Sequence, residues 1–144
     1  MGKKLVDDTS FEFIEGAEKQ TVDELEEAMM AQDFLWSGEN SMGEGAIISL
    51  SSNISTLKSG IVLYFVYDDD TTNYGAEFHF IPKIAIPTIL SVPLRVSFPL
   101  MNGPAEIDPV SKVLWIYNNK IEGDAINIST IVHRNYRLYA VVGV

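Results

Sequence analysis

Apolar positions recur with two different periods in this chain, and the change falls near residue 35. Before it, Val22, Leu25 and Met29, with Ala28 or Phe34, form one narrow apolar stripe at helical spacing. That stripe predicts a short helix over residues 21–33. Thr21-Val22-Asp23-Glu24 reads as its capping box, and Asp23, Glu24, Glu26 and Glu27 suit the positive end of the helix dipole. After residue 35 the period shortens to two. Strands are predicted near 46–50, 60–67, 76–82, 90–98, 112–117 and 136–143, with a weaker one at 125–131.

Turn signals separate these runs: Ser51-Ser52-Asn53, Asp68 to Asn73, Met101-Asn102-Gly103-Pro104, Asn118-Asn119 and Glu122-Gly123-Asp124. Regularly spaced short strands with polar turns predict a mainly β fold. Its body is an antiparallel sandwich or jelly-roll-like, preceded by an extended arm with one short helix. Pro82, Pro87, Pro93 and Pro99 each remove a ladder donor, so that stretch reads as edge strands and bends. The final run, Leu138-Tyr139-Ala140-Val141-Val142-Gly143-Val144, predicts a paired strand at the C-terminus.

Charge sharpens the division. Residues 1–44 hold 12 acidic and 3 basic side chains, and residues 45–144 hold 8 and 7. An acidic docking arm, residues 1–34, therefore precedes a nearly neutral β display domain, residues 35–144. The net charge of −10 argues against nucleic-acid binding. Cysteine is absent, which removes disulfides, thiolate metal sites and cysteine nucleophiles. No apolar run reaches the roughly 20 residues of a membrane span, and no secretory signal is visible, so no membrane insertion is expected.

Candidate chemistry is sparse. Asp68-Asp69-Asp70 sits in a turn without EF-hand spacing, so a solvated loop is expected there and no metal is assigned. His79 lies between Phe78 and Phe80 and points opposite to both; with the phenylalanines in the core, its imidazole faces solvent or a neighbouring subunit. No phosphate loop or nucleophile elbow appears, so neither catalytic residues nor a cofactor are expected, and the chain does not read as an enzyme. Tyr64, Tyr67, Tyr74, Trp115, Tyr117, Tyr136 and Tyr139 lie on or beside strands, where aromatic rings with nearby carboxylates and amides suit sugars. Asp69, Asn73 and Tyr74, in the longest polar loop, are the candidate ligand-binding residues.

Several phrases in fixed order resemble a known family. They are Leu35-Trp36-Ser37-Gly38, Ile48-Ser49-Leu50-Ser51, Gly60-Ile61-Val62-Leu63, His79-Phe80-Ile81-Pro82-Lys83, Leu114-Trp115-Ile116-Tyr117-Asn118-Asn119-Lys120-Ile121-Glu122-Gly123 and Arg137-Leu138-Tyr139-Ala140-Val141-Val142-Gly143-Val144. Together they resemble the C-terminal β-domain of head-fibre, tail and baseplate structural proteins from phages of Gram-positive bacteria. The resemblance implies a virion module, assembled in the host cytoplasm, commonly oligomeric and placed near the host-contacting end. The expected partners are other virion proteins through residues 1–34, further copies of the chain, and a host cell-wall or surface polysaccharide. Phe11, Phe13, Val22, Leu25 and Met29, with the C-terminal strand, offer apolar surface for docking and oligomerisation, a trimer being favoured. The competing expectation is a free carbohydrate-binding or carbohydrate-cleaving domain.

Overall fold

The computed structural model describes residues 33–70, 73–100 and 110–144, with only the backbone of residues 73 and 74. The predicted helix up to residue 32, the residues Phe11, Phe13, Val22, Leu25 and Met29, and the turn at 101–104 lie outside the described residues. Asp33, expected as the last residue of that helix, instead opens a strand.

Among the described residues, eight strands build the body: β1 (Asp33–Asn40), β2 (Ile47–Ser49), β3 (Gly60–Asp68), β4 (Asn73–Pro82), β5 (Leu94–Leu100), β6 (Val110–Ile116), β7 (Lys120–Glu122) and β8 (Tyr136–Gly143). They form two four-stranded sheets, ordered β1-β8-β3-β4 and β2-β7-β6-β5. Every pairing is antiparallel. The fold is the mainly β sandwich expected from the strand pattern. The first and last of these strands are neighbours, β1 beside β8 in one sheet, and β2 lies beside β7 in the other.

One apolar cluster joins the sheets. Ile61, Leu63, Phe65 and Tyr67 of β3 and Tyr136, Leu138 and Val141 of β8 meet Phe98, Leu100, Leu114, Ile116 and Ile121 of the other sheet. Tyr67 and Tyr136 pack edge to face with ring centroids 5.0 Å apart. Both rings are buried, so these two tyrosines are core rather than sugar platform.

The prolines sit where a missing donor costs least. Pro82 closes β4 and Pro99 lies in β5, and both strands are sheet edges. Pro87 and Pro93 fall in the connection between those strands, which is why β5 begins at Leu94 rather than near residue 90.

Two expectations are corrected. The weak strand at 125–131 is a 3-10 turn, Ala125–Ile128, followed by a short helix, α1 (Ile131–Asn135). Asp124 accepts from the Ile126 N–H and Thr130 accepts from the His133 N–H, so two side-chain caps override the alternation of Ile126, Ile128 and Ile131. The C-terminal run is the paired strand expected, β8 being bonded to β1 on one side and to β3 on the other.

The second correction concerns β4. Phe78 and Phe80 point outward, 67 % and 53 % exposed, and His79 points inward. Its ring lies 5.0 Å from Phe98 and 5.9 Å from Phe65, with Nε2 buried, 3.7 Å from Glu77 Oε1 and without a hydrogen-bond partner among the described residues. The register decides this. Val62 pairs with Phe80 and Tyr64 with Phe78, while Ile61, Leu63 and Phe65, which alternate with them on β3, fill the core.

Candidate functional site

The end of the β3–β4 hairpin gathers charged side chains from distant parts of the chain. Asp68 Oδ1 accepts the Asp70 N–H at 2.8 Å, and Asp70 takes the left-handed conformation at φ 72°, one that aspartate tolerates in tight turns. This local turn aims both carboxylates toward β8 and β1. Arg137 Nη1 lies 2.9 Å from Asp70 Oδ1 and 2.6 Å from Glu39 Oε2. The Tyr139 hydroxyl stands between Glu39 Oε2, at 2.8 Å, and Asp68 Oδ2.

Pairing with β3 places Tyr139 at a bulge, where the register shifts between Tyr64–Ala140 and Phe65–Leu138. The extra residue re-aims the phenol toward the hairpin end. The hydrogen bond from Tyr139, then that from the Asp70 amide, hold the Asp68 carboxyl below its ordinary 3.8. Burial and the same carboxylates push the Tyr139 phenol up.

Carboxylate oxygens of Glu39, Asp68 and Asp70 come within 4.8 Å of one another. Arg137 already bridges two of them, so a hard cation would have to displace the guanidinium. What the arrangement can do is present fixed acceptors to hydroxyl donors. Asp70 is the most open, its side chain 74 % exposed.

Of the sequence candidates, Asp69 is partly buried in the same turn, and Asn73 pairs with Asp68 at the start of β4. The side chains of Asn73 and Tyr74 lie outside the described residues. The candidate loop therefore carries the Asp68 and Asp70 end of this cluster, whose bracing residues Glu39, Arg137 and Tyr139 were not expected there. They sit 67 to 100 positions away from their partners, and no local signal joins them.

A second aromatic surface lies on the outer face of the other sheet, where Arg95, Trp115 and Glu122 stand in one register row. The Arg95 guanidinium lies 5.3 Å from the Trp115 ring centroid, and the Lys120 ammonium 4.7 Å from that of Tyr117. Trp115 Nε1 donates to Asp124 Oδ2 at 3.1 Å, and Lys120 pairs with Glu122 at 2.8 Å. The Ile126 amide, then Trp115, hold the Asp124 carboxyl low. Rings and carboxylates meet here as a sugar site requires, although each ring already carries a cation.

At one end of the sandwich a polar knot ties four segments together. Lys112 is fully buried, and its Nζ donates to the carbonyls of Ser41 at 2.7 Å, Asn127 at 3.0 Å and His133 at 2.5 Å. Burial, then the like charge of Arg137, pulls its ammonium from 10.5 down to about 7. The unfolded chain holds that proton up to 10.5, so this group makes stability rise with pH between 7 and 10.5. Below 7 its penalty is constant. A lowered lysine can mark a nucleophile; here three carbonyls consume its three donors and no solvent reaches it. Its role is to close the fold.

Among the described residues, no helix is long and apolar enough to cross a membrane. Compared with known proteins, the chain matches no family model, no curated sequence and no solved structure.

Proposed function

We propose that this chain is a phage virion structural protein: a head-fibre, decoration, tail or baseplate component. It docks by residues 1–34, assembles as a homo-oligomer and displays its β body to the host surface. It performs no catalysis and uses no cofactor. The observation that carries the reading is the braced hairpin end. Glu39, Asp68 and Asp70 are fixed by Arg137 and Tyr139 on a rigid sheet, beside Asp69, Asn73 and Tyr74. Display modules read their targets with loops held on such scaffolds, and carboxylates orient sugar hydroxyls while an aromatic ring stacks on the C–H face. Each site is weak; repeated copies on one particle supply avidity.

The test is adsorption to host cells by particles carrying Tyr74→Ala or Asp69→Ala. Adsorption is expected to fall about tenfold or more under multivalent binding, with incorporation into particles and thermal stability unchanged. Normal adsorption by both variants would leave the hairpin as a solvated turn and the protein as a decoration without a receptor.

A second reading, a free carbohydrate-binding domain, is favoured by the Trp115 and Tyr117 surface with its neighbouring Glu122 and Asp124. On that reading the purified chain alone binds glycan and Trp115→Ala abolishes the binding. The virion reading predicts no such loss, because the rings there are covered by Arg95 and Lys120.

A further inference from the structure

The outer face of the β1-β8-β3-β4 sheet is apolar where a sandwich normally turns polar side chains to water. One register row across it reads Phe80, Val62, Val142 and Phe34, and the next reads Phe78, Tyr64, Ala140 and Ser37. Eight positions in two rows carry no charge. Phe78, Phe80 and Phe34 are 67 %, 53 % and 53 % exposed, and Tyr64 meets Phe78 edge to face at 4.8 Å. Charged groups flank the rows along the strands, at Asp68, Arg137 and Glu39 toward the hairpin end and at Asp33 and Lys83 toward the other.

We propose that this face is where one copy of the chain binds another. Area is the first reason. An exposed phenylalanine offers about 200 Å², so the three rings alone leave about 350 Å² in water. That is nearly half of the roughly 800 Å² each partner contributes to a standard interface. Val62, Tyr64 and Val142, all partly exposed, add to it from the same rows.

Charge is the second reason, and it selects the occupant. The chain carries a net charge of −10, so two copies repel one another over most orientations. The two uncharged rows let like-charged copies meet without opposing carboxylates. A basic partner would find no acid within the two rows. A flat pleated face of aromatic and branched side chains is also self-complementary, as the stacked sheets within a sandwich are.

This deepens the oligomer proposed above by naming its surface. Its test uses the purified full-length chain alone, so a failure of the virion reading leaves the outcome intact. Sedimentation equilibrium is run from 1 to about 100 µM, a range that brackets typical micromolar self-association. The wild-type chain is compared with Phe78→Lys and, on the other side of the same face, Phe34→Lys. Both replaced rings are more than half exposed, so the fold is expected to survive, and circular dichroism checks it.

The expected result is a mass that is a multiple of 16.0 kDa for the wild type, with the dissociation constant raised at least 30-fold in each folded variant. If Phe78→Lys fails to fold, Phe34→Lys decides alone. A wild-type chain that stays at 16.0 kDa throughout the range overturns the proposal. So does an oligomer that persists unchanged in the folded variants, since another surface would then hold it.

Discussion

Asn127→Ala is expected to destabilise the protein by about 3 kcal/mol, lowering its urea midpoint by about 1–2 M. Asn127 has no exposed surface, and its carboxamide replaces a missing strand. β7 pairs with β6 only at Trp115 and Ile116, which leaves the edge of β6 open at Val113. There Asn127 Oδ1 accepts the Val113 N–H at 2.7 Å, and Nδ2 donates to the carbonyls of Val113 and Met42, both at 2.7 Å. Alanine removes all three bonds and strands a buried Val113 amide, the costlier half of the loss. Asn127→Asp is expected to cost more, because it turns two donor contacts into repulsion between oxygens. Ser41→Ala is the control. It removes an exposed bond to the Arg134 carbonyl and is expected to cost about 0.5 kcal/mol.

Gly123→Ala is expected to be at least as damaging, about 3 kcal/mol or more, because a methyl group has nowhere to go. A β-carbon at Gly123 would lie 2.2 Å from the Met42 carbonyl oxygen and 2.3 Å from that of Gly43. Both are backbone atoms, so relief requires moving the whole turn between β1 and β2. That movement breaks the bonds from the Gly123 amide to Ala46 and from the Asp124 amide to Met42, now 2.9 and 3.0 Å. It also loosens the Met42 contact with Asn127. Gly45→Ala separates steric from conformational cost. Gly45 has φ 83° with open space around it, so only the left-handed backbone penalises alanine, by about 1 kcal/mol. Equal effects at both glycines would contradict the packing described.

What the sequence disclosed follows from how local each signal is. β3 and β8 are long apolar runs, and both lie inside their sheet, paired on two sides. The prolines marked the edges correctly, because a missing donor is a property of the residue itself. β1 was not legible as a strand: it mixes Asp33, Glu39 and Asn40 with its apolar positions and pairs through two irregularities with β8. β7 is only three residues long and lay between two turn signals. The inverted faces of β4 have a different cause. Its partner β3 is apolar on both sides, so alternation alone could not say which side met the core.

The candidate site was legible in part for the same reason. Asp68 and Asp70 announced a polar turn, whereas Glu39, Arg137 and Tyr139 reach it only through the pairing of β1 and β3 with β8. Lys112 and Asn127 left no trace at all. A lone lysine in a strand reads as surface, and only the closing of four segments around it makes it the buried hub of one end of the sandwich.

The central claim is that this chain is built into virus particles. The direct measurement is the protein composition of particles purified, by density gradient, from a culture expressing the gene in its native setting. Quantitative mass spectrometry is expected to find the chain intact, at many copies per particle and in fixed ratio to the major capsid or tail protein. It should stay with the particles through a salt wash. Its absence from washed particles, with the protein remaining in the soluble fraction, would contradict the account.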